Sequence, residues 1–357
     1  MRTTALIAVL VLCACGSTSN TASVTSPSAA ASAGAATTPS SAASPSPSPS
    51  PSPVPSPSPA APPSCVMHAE LGVDQGGYRI LLGTIKMPAG TTTVDTGHHI
   101  IGSNDPTPIW STDTSPQLYG MAAATYSTAI NGWMPVPPEL VAPDGLHYAY
   151  LHPDGTLRLA DRVDQEVIVK NPSNLRPLAY TSAGVVLVQN GPAANGLWLL
   201  NVSTHAITAL VAPSGNDDWR EVRNGAAWGV DSPAGLGYIR PTRVMTAPIQ
   251  AGASVSTVVT FTGGLWIYLM TTDAQGGVVV VLTGTAPGVV YVPPGGSPAP
   301  SALNGVAVNN IGLRYHSDSH GSWFLGPGGI TLFTPAGGMK KVGPGSTADL
   351  IPAGDCV

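Results

Sequence analysis

The chain has 357 residues, of which only 9% are charged, and its net charge is −5. The usual charged share is ~25%, so this surface must draw its polarity from Ser, Thr, Asn and the backbone. With no basic stripe to neutralise phosphates, a nucleic-acid partner is excluded; the adjacent pair Lys340-Lys341 reads as a solvated turn.

The N-terminus carries Arg2, an apolar run from Ala5 to Leu12, and then Cys13-Ala14-Cys15-Gly16. A basic start, a short apolar stretch and small residues at a cleavage point describe an export signal, residues 1–14. The run falls short of the ~20 residues a spanning helix needs. Leu12-Cys13-Ala14-Cys15 resembles the bacterial lipobox, with Leu at −3, a small residue at −1 and Cys as the first mature residue. That resemblance implies acylation of Cys15 and anchoring in a lipid bilayer, with the chain facing outside the cytoplasm. Two or three acyl chains, at about 0.8 kcal/mol per buried CH₂, make a firm anchor.

Residues 16–64 contain no charged residue and little besides Ser, Ala, Thr, Pro and Gly. Such a segment buries too little apolar surface to offset the entropy of ordering it. From residue 44 to 59 Ser and Pro alternate, broken only by Val54. Proline also restricts the residue before it, so an extended polyproline stalk at ~3.1 Å per residue is expected.

Residues 65–357 form the folded part, in which Gly and Pro recur too often for long helices. Short β-branched and aromatic runs bounded by turn residues predict strands instead. Five of them align: Leu146–Leu151, Ala183–Gln189, Gly225–Val230, Gly264–Met270 and Ile311–Tyr315. Their starts recur every roughly 37–47 residues, with second and third runs after most of them, which is a propeller's signature. The best unit, residues 142–161, reads Ala-Pro-Asp-Gly, LHYAYL, His-Pro-Asp-Gly, TLRLAD. It resembles the TolB-type propeller repeat, which implies an all-β fold of six or seven blades; tandem β-sandwiches are the alternative. Tyr78 to Trp133 is the least regular stretch. Cys65 opens the domain and Cys356 is the penultimate residue. In an exported protein they are expected to pair, fastening the first strand to the last.

Motifs with chemistry are sparse. Asp144 and Asp154 sit in Pro-Asp-Gly turns that backbone geometry explains without calcium. His316, Asp318 and His320, and the pair His98-His99, have ligand chemistry but read more simply as polar loop residues, so no metal or cofactor is expected. There is no Gly-x-Ser-x-Gly elbow, His-Glu-x-x-His or phosphate loop, so no catalytic residue is assigned. Asp217-Asp218-Trp219-Arg220-Glu221 is the densest charge cluster and reads as a connector between blades. With Trp110 and Trp133, also in loop-like sequence, it forms the candidate recognition patch. Trp198, Trp228, Trp266 and Trp323 lie in predicted strands and are expected to pack between blades. The leading expectation is a membrane-anchored module binding a protein, peptide or glycan. The alternative is a propeller hydrolase or lyase acting on envelope glycans or lactones, which requires acids and His to converge at the central channel.

Overall fold

The computed structural model describes residues 61–73, 79–101, 117–119, 124–161, 166–171, 173–189, 196–213, 217–231, 240–326, 328–344 and 350–357. The expected signal segment, Cys15, the expected stalk up to residue 60 and Trp110 lie outside them. All the described residues fall in one compact unit, Pro57–Val357. They form a six-bladed β-propeller, within the expected range, and its only helical pieces among them are the 3₁₀ turns Pro138–Leu140 and Val308–Asn310.

Blades 3 to 6 are four-stranded antiparallel meanders whose first strand is innermost. Blade 3 is Leu175–Thr181, Gly184–Gln189, Leu197–Leu200 and Ile207–Val211. Blade 4 is Asp217–Arg223, Ala226–Asp231, Arg243–Pro248 and Ser256–Thr260. Blade 5 is Leu265–Thr272, Val278–Gly284, Gly288–Val292 and Ala299–Pro300. Blade 6 is Arg314–Asp318, Gly321–Gly326, Gly329–Thr334 and Gly338–Gly343. In blade 2 the bridge Val141–Tyr148 stands for the first strand, ahead of His147–Leu151, Leu157–Asp161 and Glu166–Val169.

Blade 1 closes the ring. The C-terminal strand Ile351–Cys356 lies inside Val66–Val73, followed by Arg79–Lys86 and Thr91–Ile101, with Gln117–Tyr119 added in parallel. Val66 and Val357 exchange backbone hydrogen bonds of 2.7 and 3.0 Å. The Cys65–Cys356 disulfide spans 291 residues of sequence and welds the two termini.

The core is a set of dry seams between blades, and strand periodicity builds it. Successive side chains of a strand point to opposite faces. In Gly184–Gln189, Val185 and Leu187 pack toward blade 2 while Val186 and Val188 pack toward blade 4. In Val278–Gly284, Val278, Val280 and Leu282 face blade 4 and Val279 and Val281 face blade 6. A middle strand buried on both faces must therefore be a continuous apolar run, which is how both read. The irregular N-terminal stretch contributes a wedge between blades 1 and 2: the hairpin Thr125–Ser127/Gly132–Met134. Its Trp133 enters the seam with Leu82, Ile100 and Ala353, and the next residue, Met134, the seam with Tyr148 and Tyr150.

The two Pro-Asp-Gly turns close through backbone bonds from Gly145 to Ala142 (2.8 Å) and Gly155 to His152 (2.9 Å), with each glycine at positive φ. Asp154 accepts from the Thr156 amide and hydroxyl at 2.8 and 2.6 Å. The Asp side chains thus build turns.

Candidate functional site: the axial cavity

The inner strands of blades 3 to 6 and the Pro138–Leu140 turn line a cavity of ≈210 Å³ on the propeller axis. Its polar walls come from Glu139, Tyr180, Arg220, Glu221, Arg223, Tyr315 and His316. One sequence irregularity aims several of them. In Asp217–Arg223, Trp219 faces Gly229 and Glu221 faces Trp228, so Arg220 is a bulged extra residue. A bulge bends its strand and re-aims the side chains beyond it; here Arg220, Glu221, Val222 and Arg223 all reach the cavity. The inner strands of blades 3 and 5 carry the same irregularity at Leu178 and Tyr268, each also the fourth residue of its strand.

Bonds between blades hold these groups. Glu221 accepts from the Thr272 amide (3.0 Å) and hydroxyl (2.7 Å) of blade 5, and from Arg223 Nε at 3.2 Å. Arg223 also donates from Nη1 to the Ser317 carbonyl of blade 6 at 3.1 Å, reaching past blade 5. Arg220 Nε donates to Asp218 at 2.8 Å. His316 Nε2 and Asp355 Oδ1 lie 2.6 Å apart, linking blade 6 to the closing strand. That bond holds the Asp355 carboxyl below the ordinary carboxylate range. Tyr315 is pushed well above the usual phenol value by burial, with Glu221 and Glu139 adding to it. Burial also raises the Glu139 carboxyl, and nearby His316 and Arg223 only partly oppose this. Glu139 is open to the cavity, but the protein packed around it displaces bulk water, which penalises its charged form.

The recognition patch expected from the sequence is thus redrawn. Asp217–Glu221 is an inner strand, not a connector, because its Trp219 is needed in the seam between blades 3 and 4, where it is 2% exposed. Trp133 is likewise 2% exposed, wedged beside blade 1, and donates to Asp95 at 2.9 Å. Neither offers an exposed aromatic face. Asp217 is buried too, Asp218 serves Arg220, and among the described residues of the patch only Arg220 and Glu221 line the cavity. His316 is no loop residue: it sits on an inner strand facing the cavity. His320 leaves in the next turn, edge-on to Trp323. Among the described residues no group of three or more His, Cys, Asp or Glu is placed to hold a metal ion. Glu139, Tyr180, Arg223 and Tyr315 escape sequence reasoning because they come from separate blades, and no local motif marks their convergence.

No family model matches the chain, and no curated protein matches it. Two of the solved structures that the chain resembles in fold are the following. One is a protein from Bacteroides uniformis described as a candidate 6-phosphogluconolactonase, 10% identical, with a TM-score of 0.46, matched over 81% of this chain and 96% of that one. The other is a protein from Lactobacillus plantarum, also 10% identical with a TM-score of 0.46, matched over 82% and 98%. At that level they carry no argument about activity.

Proposed function

We propose that the chain is a lipid-anchored, extracytoplasmic display protein whose propeller binds a small polar unit of a peptide or glycan in its axial cavity without turning it over. The observation that carries this reading is the division of labour in the cavity walls. Glu221, Asp218 and the His316–Asp355 pair are engaged in bonds within and between blades. Glu139, the Tyr180 and Tyr315 hydroxyls and the terminal nitrogens of Arg220 have no hydrogen-bond partner from another residue among those described. Fixed walls with unspent polar groups suit recognition, because the groups need no rearrangement to meet a ligand.

A thermal-shift screen of the full chain against envelope glycans, peptides and lactones tests this, since a ligand selective for the native state raises the melting temperature. The reading expects a shift with unchanged ligand recovered afterwards. Recovery of a cleaved product instead establishes the second reading, a hydrolase or lyase acting on glycans or lactones. One feature favours that rival: His316 oriented by Asp355 beside an acid of raised pKa is base-and-acid geometry. Anchoring has its own test. Cys15→Ser should move the chain from the membrane fraction to the soluble one and abolish incorporation of labelled fatty acid; membrane retention by the variant would sink the lipid anchor.

A further inference from the structure

The unspent groups of the cavity are of two opposite kinds. Arg220 uses Nε on Asp218, which leaves its two terminal nitrogens as a planar fork; such a fork suits a carboxylate, bound through both oxygens. Arg223 uses Nε and Nη1, leaving Nη2. On the other side stands Glu139, with no hydrogen-bond partner from another residue among those described, in the electrostatic reach of Arg223, His316 and Glu221. The Asp218–Arg220 and Glu221–Arg223 pairs each sum to zero. A lone anion on the fork would lie beside Glu221, the next residue on the same wall, and a lone cation on Glu139 would meet the Arg223 guanidinium. A ligand carrying both charges on one small unit answers both kinds of group and brings no net charge into the cavity. The cavity's ≈210 Å³ lies below the ~300–1,000 Å³ of sites for drug-sized molecules, so the unit is small.

Building on the reading of this cavity as a binding site, we propose that its ligand is an α-amino acid zwitterion, with the carboxylate forked on Arg220 and the ammonium against Glu139. The Arg223 Nη2 donor and the Tyr315 hydroxyl complete the polar contacts. The same head group occurs on a free amino acid and on one attached to a larger molecule through its side chain.

Isothermal titration of the full chain decides the matter. The probes are free glycine, alanine, serine, glutamate and lysine, a γ-glutamyl dipeptide, the N-acetyl and methyl-ester derivatives of the tightest binder, and N-acetylglucosamine. The expected result is binding of at least one free amino acid, weakened on the order of tenfold or more when either charged end is blocked. Tighter binding of the γ-glutamyl dipeptide than of glutamate assigns the head to a larger molecule; equal or weaker binding assigns it to free amino acids. Glu139→Gln should remove the penalty for the N-acetyl derivative, and Arg220→Gln that for the methyl ester. Because Arg220 also holds Asp218, the near-isosteric Glu139→Gln is the decisive variant. Equal affinity for free and blocked forms, or an unchanged profile in Glu139→Gln, overturns the inference. Binding of the amino sugar or of blocked peptides alone overturns the zwitterion but leaves the binding-site reading standing. Silence across all classes overturns both.

Discussion

Glu70 shows how one buried carboxyl couples this fold to pH. It lies on Val66–Val73 at 2% exposure and accepts from the Ala124 amide at 2.8 Å, at the entry to the wedge hairpin. Burial pushes its pKa up to about 7, against smaller opposing effects from that hydrogen bond and from Arg314. The native state therefore holds a proton that the unfolded chain, with Glu near its ordinary value, has already lost. The stability tied to this group is complete below about pH 4.5 and disappears as pH rises through about 7, a change of roughly 2–4 kcal/mol. Glu70→Gln keeps an acceptor for Ala124 and cannot ionise. Its stability relative to wild type should thus rise across that window, measured by denaturant melts at pH 5, 6, 7 and 8. A constant difference between the two proteins would refute the assignment. Carboxyls held low, such as Asp95 and Asp355, act below this window and with the opposite sign.

At the scale of elements, the wedge hairpin and the inner strands reveal what the sequence conceals. The double-faced strands are legible: the runs at Ala183 and Gly225 fall on the second strands of blades 3 and 4. The runs at Gly264 and Ile311 align equally well, yet they mark the first strands of blades 5 and 6, which begin at Leu265 and Arg314. The alignment slips by one strand because first and second strands alike feed the seams, and apolar content does not tell them apart. The cavity is less legible still. The bulge at Arg220 leaves no residue signature, since Leu178 and Tyr268 occupy the equivalent places in neighbouring strands. Around Trp133 and Trp219 the sequence shows large aromatics beside turn residues and charges, a pattern that suits a surface loop as well as the seam they occupy. Trp133→Ala should therefore cost stability, about 3–5 kcal/mol as for other buried large aromatics, and remove the bond to Asp95. A denaturant midpoint unchanged in this variant, with ligand binding lost, would restore Trp133 to the recognition surface.

For the whole molecule, the question is what keeps a ring of six blades closed when its two ends meet in blade 1. Three devices converge there. The terminal strands exchange backbone hydrogen bonds, the disulfide joins Cys65 to Cys356, and Asp318 of blade 6 receives both the Cys356 amide at 2.9 Å and the Trp323 ring nitrogen at 2.8 Å. Asp318 is 4% exposed, so its oxygens take these donors in place of water. The disulfide acts mostly on the unfolded chain: removing closure entropy from so long a loop stabilises by on the order of 5 kcal/mol as an upper bound. The other two devices persist without it. Reduction, or the pair Cys65→Ser and Cys356→Ser, should therefore leave a folded propeller with an unchanged far-ultraviolet spectrum. Its melting temperature should fall, by no more than roughly 10–20 °C at ~2–4 °C per kcal/mol for a domain approaching this size. Unfolding at room temperature on reduction would mean that strand pairing and Asp318 cannot close the ring unaided. An unmoved melting temperature would mean that the disulfide removes no net closure entropy from the unfolded chain.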